Sequence, residues 1–395
     1  MSNTKKRAGA SDQGAPSPAA KLRKTEENNV HENSLEALRK LSVVVADTGD
    51  FESLKKYLPQ DATTNPSLLL KAASMPQYAH LMDKAIEDAK KVHAKSEVNS
   101  ARLEEVIDQL FVAFGVEILK IVPGVVSTEV SAALSFDVDA SVAKARKLIQ
   151  MYAERGIEKE RVLIKLATTW EGCEAAKILE KEGIHCNMTL LFSFAQAVAA
   201  AEARATLISP FAGRILDWYK KNYPERQAEF VGDKDPGVQT VKRIYNYYKK
   251  HNYPTTVMAA SFRNIGEIIA LAGCDKVTVA PALLEELKSQ TAPVPRALSP
   301  EAAGHSALAD SQKNSLKVER EAAKAHSKSE DVNGAQSASG DEEKLHLDEK
   351  AFRWLLNEDA MATEKLAEGI RSFSKDLITL KNMVREKLVM KGTRA

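Results

Sequence analysis

The stretch ASVAKARKLIQMYAERGIEKERVLIKLA, residues 140–167, contains one complete change of pattern from helix to strand. Apolar side chains from Val142 to Tyr152 recur at helical spacing, and Gly156 follows where a glycine commonly ends a helix. The last part, residues 162–167, is a short run rich in β-branched and apolar residues. A helix followed directly by such a strand predicts one unit of an alternating, parallel α/β fold.

The same alternation extends along most of the chain. Amphipathic segments separate seven further β-rich runs: VVVAD (43–47), ATTNP (62–66), VVSTEV (125–130), HCNMTLL (185–191), TLISPF (206–211), TVMAASF (256–262) and KVTVAP (276–281). Eight parallel strands close a TIM (β/α)8 barrel. A doubly wound open sheet is the alternative fold, but neither GxGxxG nor GxxxxGK[ST], its usual phosphate-binding motifs, occurs in the sequence.

The distribution of aromatic residues divides the 395-residue chain into four parts. Residues 1–33 and 291–343 contain no Phe, Trp or Tyr and are rich in small and charged residues. We expect a disordered tail and a disordered insertion there, because such segments bury too little apolar surface to offset their ordering entropy. Residues 34–290 match the roughly 250 residues of a barrel, and residues 344–395 are expected to form helices that pack on it.

Charge and hydropathy argue against nucleic-acid and membrane partners. The chain has 56 Lys and Arg against 54 Asp and Glu, so its formal charge is only +2. No apolar run approaches the roughly 18 residues of a membrane helix, and no signal peptide is recognisable. The aromatic and basic segment at 245–250 is compatible with base stacking, but we expect a helix that packs its tyrosines inward. Three cysteines without metal-ligand spacing predict neither a zinc site nor a disulfide framework, which fits a reducing cytosol.

Lys165 is the most unusual residue of the predicted strands. It lies in mid-strand between apolar neighbours, on the same face as Leu163 and Ala167. An ammonium group removed from water is destabilised, so its pKa falls and the amine becomes a nucleophile able to form a Schiff base with a carbonyl substrate. The alternative is a lysine near a strand end whose amine reaches solvent. Spacing alone favours neither interpretation.

Two carboxylates belong to predicted strands. Asp47 closes VVVAD, where barrel enzymes carry acid–base groups. Taken alone, Asp47 is more simply explained as a turn or helix-cap residue before residues 48–50. Glu129 lies within VVSTEV, where a carboxylate needs a partner, so it is either a catalytic group or the partner of Lys165 in a structural ion pair.

Neutral and basic groups complete the candidate site. Asn187 and Thr189 are two residues apart in one strand and point the same way, which suits either a polyol substrate or cross-strand polar pairing. Arg214 and Arg263 follow the sixth and seventh strands. Single arginines are usually surface charges, but a pair in loops at one end of a barrel favours a phosphate monoester.

Together the motifs resemble the transaldolase family. The similarity runs from about residue 38 to 287 and resumes at 346–373, so it covers all but the two aromatic-free segments. It rests on the strings VVADTGDF, QDATTNPSLLL, LIKLATTWEG, CNMTLLFSFAQA, LISPFAGRILDWY, DPGVQTV, ASFRNIGEI, LAGCDKVT and HLDEKAFRWLLNEDAMATEKLAEGIRSF. The resemblance implies a class I aldolase-type barrel that acts as a homodimer on phosphorylated sugars and needs no metal or organic cofactor.

The resemblance also implies a role for each candidate residue. Lys165 matches the Schiff-base lysine and Asp47 the carboxylate that exchanges a proton with the C4 hydroxyl. Glu129 and Thr189 match the pair that handles the catalytic water. The groups implied to hold the dihydroxyacetone unit and the phosphate are Asn65, Asn187, Ser209, Ser261, Arg214 and Arg263. Phe211 stands where the related fructose 6-phosphate aldolases carry a water-activating tyrosine, which favours transfer to a sugar over simple release.

Several residues depart from the family pattern. An arginine, an aspartate and an arginine of that pattern are replaced by Val125, Ser131 and Ala133. Arg204 and Ala260 replace glycines. Arg204 loses a favourable left-handed helix end, and the methyl group of Ala260 could crowd a close approach of the backbone. These changes motivate an alternative function, a catalytically impaired barrel that serves as a scaffold or regulatory binding protein.

The N-terminal tail carries two basic clusters, Lys5-Lys6-Arg7 and Lys21-Leu-Arg-Lys24, separated by residues 8–20. This spacing resembles a bipartite nuclear localisation signal, which a nuclear import receptor would bind. The alternative is a solvated, disordered tail without a partner. We therefore expect a cytoplasmic enzyme with some nuclear entry if the signal operates.

Overall fold

Eight parallel strands close into a barrel in the computed structural model, which describes residues 32–92, 100–305, 310–326 and 344–392. The strands are β1 Val43–Asp47, β2 Asp61–Thr63, β3 Val126–Glu129, β4 Val162–Ala167, β5 Cys186–Leu191, β6 Leu207–Pro210, β7 Thr256–Ala259 and β8 Lys276–Val279. Neighbours in sequence pair in parallel, and β8 closes the barrel against β1. The predicted TIM (β/α)8 barrel is confirmed.

Each predicted β-rich run contains one strand, but several strands end earlier than predicted. The run at 62–66 shows the reason, because β2 ends at Thr63. Asn65 then accepts a hydrogen bond from the backbone N–H of Leu68 at 2.9 Å, and Pro66 opens the next helix. Polar residues that follow the strands therefore belong to loops and helix caps at the C-terminal face of the barrel.

Helices surround the barrel and follow most strands. In chain order they are α1 Ser34–Arg39, α2 Phe51–Tyr57, α3 Pro66–Ala73, α4 Ala79–Val92, α5 Ser100–Leu119, α6 Val138–Ala153, α7 Trp170–Lys181, α8 Phe194–Glu202, α9 Ala212–Asn222, α10 Pro236–Lys250, α11 Ile265–Ala270, α12 Pro281–Ser289, α13 Pro300–His305, α14 Asp310–His326, α15 Glu349–Glu358 and α16 Ala360–Gly392. Within the described ranges, none of these helices combines the length and the hydropathy needed to cross a membrane.

The aromatic segment of α10 packs into the core. Tyr245, Tyr247 and Tyr248 are buried, and the Tyr248 hydroxyl donates a hydrogen bond to the backbone oxygen of Ala197 at 2.5 Å. The inward packing predicted for this helix is confirmed. Its rings are therefore not free to stack on bases.

Inside the barrel, an apolar layer lies below a polar layer. The apolar layer is a separate cluster of Val45, Leu163, Leu207 and Met258, with Val125 packed against it. Because side chains alternate along a strand, the residues two positions further on face the same interior. Three of those positions carry Asp47, Lys165 and Ser209, and the fourth carries Ala260. The apolar layer thus closes the barrel beneath the polar groups.

The last helix, α16, packs over the C-terminal ends of the strands. Its apolar face joins a cluster with Leu190 and Phe211 and contributes Met361, Ala362, Leu366, Ile370 and Phe373. Further along, Asp376 accepts a hydrogen bond from Ser67 at the start of α3, and Lys387 forms a 2.9 Å ion pair with Asp83 of α4. The helix is therefore attached to the barrel along much of its length.

Part of the interval 291–343, which we expected to be a disordered insertion, has a defined structure. Leu298 is buried, and its backbone N–H and that of Ala297 both donate to the carbonyl of Ala272. Helix α14 packs against α15, where His326 stacks on Trp354. For residues 291–305 the expectation of disorder was wrong, because one leucine and two backbone hydrogen bonds attach this aromatic-free segment to the barrel. Residues 306–309 and 327–343 lie outside the described residues, as do 1–31 of the predicted tail.

One outward-facing residue links the site to the helical layer. Thr128 lies between two interior-facing residues of β3, and its hydroxyl is 2.6 Å from the buried Tyr152 hydroxyl of α6. Gly115 of α5 makes room for this contact, since an added Cβ would lie 1.7 Å from the Tyr152 hydroxyl. The hydrogen bond holds β3 in register with the helices behind it.

Replacing Tyr152 with phenylalanine removes that hydrogen bond and leaves the Thr128 hydroxyl buried without this partner. We expect the free energy of unfolding to fall by about 1–3 kcal/mol. Chemical denaturation measures it, with Tyr223→Phe as the control because Tyr223 is 39% exposed. Equal stabilities for the two variants would contradict this account of β3.

Candidate active site

Most of the predicted site residues line one cavity at the C-terminal end of the barrel. Asp47 and Lys165 lie on its wall with residues from the sixth, seventh and eighth strands and the loops that follow. The lining residues named in the sequence are Asp47, Asn65, Lys165, Ser209, Phe211, Arg214 and Ser261. Thr63, Met258, Ala260 and Thr278 complete the wall. Barrel enzymes carry their active sites at this end.

Lys165 is held inside the barrel and is only 4% exposed. Its Nζ donates a hydrogen bond to the backbone oxygen of Thr64 at 3.2 Å and lies 3.4 Å from Glu129 Oε2. The strand register places Lys165 opposite Glu129 on one side and Asn187 on the other. The alternative of a lysine reaching solvent is therefore wrong, and the amine faces the cavity within a polar layer.

Glu129 is buried with Lys165, and its environment changes its acidity. Burial raises the pKa of Glu129 to about 7, while the charge of Lys165 acts in the opposite direction. A carboxyl group with this pKa is partly protonated near neutral pH. It can therefore both give and accept a proton there.

Asp47 is the last residue of β1 and does not cap the following helix, since Asp50 occupies that position before α2. Asp47 Oδ1 accepts a hydrogen bond from the Thr63 hydroxyl at 2.9 Å. The same hydroxyl is 3.1 Å from that of Thr278. Two threonines from neighbouring strands thus hold the carboxylate at the edge of the cavity, where a proton-transfer group is useful.

Hydrogen-bonding groups form a chain across three strands. Asn187 Nδ2 donates to the Ser127 hydroxyl at 3.0 Å, and the Ser209 hydroxyl donates to Asn187 Oδ1. Thr189 Oγ1 is buried without a hydrogen-bond partner among the described residues. The cross-strand pairing considered for Asn187 is present, and Thr189 keeps an unused hydroxyl inside the barrel.

The two predicted arginines lie at different depths. The Arg214 guanidinium stacks on the rings of Phe211 and Phe373, 5.1 Å and 5.4 Å from their centroids. Burial lowers the pKa of Arg214, and the charge of Arg263 lowers it further. Arg263 lies at the rim, outside the cavity lining, where it forms a 2.6 Å ion pair with Asp217 and donates from Nη1 to the Ser261 carbonyl at 2.9 Å. Two cations thus face one end of the site.

Comparison with known proteins agrees with this arrangement. A family model described as Transaldolase/Fructose-6-phosphate aldolase matches residues 44–384. The chain belongs to that family. Curated relatives named transaldolase come from Rattus norvegicus (52% identical over 358 residues, 90% of this chain and 95% of the relative), Saccharomyces cerevisiae (52% over 373 residues, 94% and 98%) and Cellvibrio japonicus (52% over 355 residues, 90% and 99%).

The structure accommodates residues that we expected to depart from the family pattern. Val125 packs against the interior apolar cluster. Glu129 still has a charged partner, Lys165, although the charged side chains expected at positions 125, 131 and 133 are absent. Arg204 adopts the left-handed conformation at φ +60°, as expected where the pattern has glycine. Ala260 is buried, and its backbone pairs with Pro210 and Ala212 at 3.0 Å. None of these substitutions disrupts the cavity.

Sequence reasoning missed the groups contributed by α16. Phe373 lies with its ring centroid 5.9 Å from Lys165 Nζ and is also stacked on Arg214. Gly369 lets the helix approach β5 closely, because an added Cβ would lie 2.6 Å from Leu190 Cδ2 and 3.4 Å from Arg214 Nη1. Both residues belong to the string at 346–373 that resembles the family, but nothing in that string indicates a contact with Lys165 or Arg214, which lie more than 150 residues away in sequence.

Replacing Gly369 with alanine tests whether the close approach of α16 supports activity. Alanine favours helix by about 1 kcal/mol over glycine, so an isolated helix would gain stability. Here the added methyl group pushes α16 from Leu190 and Arg214, and we expect kcat/KM for transaldolase activity to fall by about 10–100-fold. The control is Ser372→Ala on the exposed side of the same helix. Equal kcat/KM values would show that α16 is only a packing element.

Proposed function

We propose that the chain catalyses the transaldolase reaction through a Schiff base on Lys165. It transfers a dihydroxyacetone unit from sedoheptulose 7-phosphate to glyceraldehyde 3-phosphate, giving erythrose 4-phosphate and fructose 6-phosphate, and the reaction is reversible. This is a step of the non-oxidative pentose phosphate pathway. The observation that carries the proposal is the buried Lys165 amine, 3.4 Å from the Glu129 carboxyl, in a cavity that also contains Asp47.

The first step is imine formation. The amine of Lys165 attacks the substrate ketone at C2, and the resulting carbinolamine loses water. Glu129 supplies the proton for the departing hydroxyl and later accepts one from the attacking water when the imine is hydrolysed. Its pKa of about 7 supports both uses. The Thr189 hydroxyl, buried without a protein partner in the described structure, is suited to hold that water.

The second step breaks and remakes a carbon–carbon bond. Asp47 takes the proton of the C4 hydroxyl, the C3–C4 bond breaks, and its electron pair moves into the iminium group on Lys165. The aldehyde product leaves, and the three-carbon enamine remains attached. The enamine then attacks the carbonyl carbon of the acceptor aldehyde, and Asp47 returns the proton to the new hydroxyl. The Thr63 hydrogen bond supports this role by orienting the Asp47 carboxylate.

Two groups of residues bind the rest of the substrate. Asn65, Asn187, Ser209 and Ser261 are suited to hold the hydroxyl groups of the dihydroxyacetone unit. Arg214 and Arg263 are suited to bind the phosphate, for which Arg263 must share or exchange its contact with Asp217. Phe211 places a ring rather than a hydroxyl beside Arg214, which supports transfer to a sugar over release of free dihydroxyacetone.

The alternative of an impaired scaffold is not favoured. The residues matched to the catalytic roles are present, and relatives named transaldolase are 52% identical over most of the chain. Several further expectations stay predictions: the homodimer, the cytoplasmic location, nuclear entry through residues 5–7 and 21–24, and the division of the chain at residues 33, 290 and 343.

Chemical trapping tests the Schiff base. After incubation with fructose 6-phosphate and borohydride, peptide mass spectrometry should find a reduced three-carbon adduct on Lys165. Lys165→Arg should abolish trapping while the protein stays folded, because a guanidinium remains protonated and does not form the imine.

Lys276→Arg is the matched control, since Lys276 is also a strand lysine paired with a carboxylate, Asp61, at 2.6 Å. That variant should trap as the wild type does. Absence of any wild-type adduct would contradict the mechanism. Turnover is measured separately, with erythrose 4-phosphate added as the acceptor and without borohydride. An adduct in the trapping experiment without such turnover to sedoheptulose 7-phosphate would instead support the impaired scaffold.

The role of Glu129 predicts a dependence on pH. Its pKa is raised from about 4.5 to about 7, so the carboxyl gains a proton as pH falls through 7 and loses its capacity as a base. We expect kcat to fall below pH 7 with an apparent pKa near 7. In Glu129→Gln this limb should disappear and kcat should drop by about 10²-fold or more. A limb that persists in the variant would assign it to another group.

A further inference from the structure

A second pair of buried carboxyl groups lies outside the cavity. Asp235 precedes α10 and Glu267 is in the first turn of α11, and each is 1% exposed. Glu267 Oε1 is buried without a hydrogen-bond partner among the described residues, and the nearby charge of Asp235 raises the pKa of Glu267. A proton retained on Glu267 would let that oxygen donate to Asp235, so the pair is suited to share one proton.

Each carboxyl group also holds backbone. Glu267 Oε2 accepts a hydrogen bond from the backbone N–H of Arg263 at 2.6 Å. Asp235 Oδ1 accepts from Gly237 at 2.7 Å and from Val238 at 3.3 Å, which caps α10. The pair therefore ties the loop between β7 and α11 to the start of α10.

The loop held in this way, residues 260–264, carries two of the proposed substrate contacts. Ser261 has a left-handed backbone, with φ +63°, and the side chain of Arg263 turns back to donate to its carbonyl. On the opposite side, Gly213 of α9 packs so closely that an added Cβ would lie 2.2 Å from the Ser261 oxygen. The loop is thus clamped between the helix that carries Arg214 and the Glu267 carboxyl.

We propose that Glu267, supported by Asp235, is a positioning residue that fixes the loop of Ser261 and Arg263 for the phosphate end of the substrate. It acts through the backbone of Arg263 and does not touch substrate. The inference rests on the proposed function, because it assigns Arg263 to the phosphate. Phosphate binding would then depend on Asp235 and Glu267 as well as on the two arginines. These two buried carboxyl groups are about 30 residues apart in sequence.

The environment of Asp235 and Glu267 makes their contact with the loop of residues 260–264 dependent on pH. Burial raises the pKa of Glu267 to about 7, and the charge of Asp235 raises it further. The backbone amides of residues 263 and 264 lower the pKa of Glu267. The amides of residues 237 and 238 and the charge of Lys220 on α9 lower the pKa of Asp235, which burial raises. Below pH 7 the shared proton remains. Above pH 7 the pair becomes two carboxylates that repel each other, and the loop is held less firmly.

Four variants of the full chain test the proposal. Glu267→Ala removes the hydrogen bond to Arg263. In Glu267→Gln and Asp235→Asn a carboxamide oxygen can still accept the backbone hydrogen bonds, and only one carboxyl group of the pair is left, so no proton is shared. Glu180→Gln is the matched control. Glu180 is also a buried carboxylate that accepts backbone N–H groups, from Cys186 and Thr206, but it lies at the N-terminal end of the barrel.

The measurements are KM and kcat for fructose 6-phosphate, and the inhibition constant of inorganic phosphate, between pH 6 and 9. For Glu267→Ala we expect KM and the phosphate inhibition constant to rise about tenfold, the effect of losing a hydrogen bond of about 1.4 kcal/mol. Its kcat should change by less than about threefold. The wild-type KM should rise above pH 7, and this rise should be absent in Glu267→Gln and Asp235→Asn.

The outcomes separate this inference from the proposed function. A wild type that forms no Lys165 adduct fails as a transaldolase, whatever the variants do. An active wild type with an unchanged phosphate inhibition constant in Glu267→Ala overturns the positioning role. An equal rise of KM with pH in wild type and Glu267→Gln overturns the shared proton, and an equal loss of phosphate affinity in Glu180→Gln shows a general effect of destabilisation.

Discussion

A lysine amine buried inside a barrel is the constraint around which the rest of this structure is arranged. Taking an ammonium or a carboxylate out of water costs several kcal/mol, and removing either partner of such a pair leaves the other uncompensated. The strand register meets this requirement. Lys165 on β4 has Glu129 of β3 on one side and Asn187 of β5 on the other. The carbonyl of Thr64 accepts the remaining hydrogen bond.

Two layers enclose that pair. Below it, the apolar cluster of Val45, Leu163, Leu207 and Met258 fills the barrel. Above it, α16 brings Phe373 toward Lys165 and Arg214. Exclusion of water lowers the local dielectric, which strengthens each interaction inside and raises the pKa of Glu129 to about 7. The position of α16 therefore affects the environment of the buried charged groups as well as the packing.

The architecture and the inner residues of the site could be predicted from local patterns. Strand alternation indicates which face Lys165 shares with Leu163, and the ends of β1 and β3 indicate where Asp47 and Glu129 stand. Contacts between distant segments could not be predicted in this way. Arg263 is bound to Asp217, 46 residues away, and Glu267, which holds the backbone of Arg263, lies beside Asp235, 32 residues away in sequence. Nothing in the neighbourhood of these acidic residues marks them as different from surface charges.

The sequence by itself therefore determined the eight strands, the alternation that turns a lysine inward, and the family to which these motifs belong. These are periodic or local properties, set by side-chain order along one segment. Only the tertiary structure decided that Lys165 is buried, that α16 covers it, and that Leu298 anchors part of an aromatic-free segment. Burial and pKa depend on every neighbouring side chain in space, and those neighbours come from parts of the chain that share no local pattern.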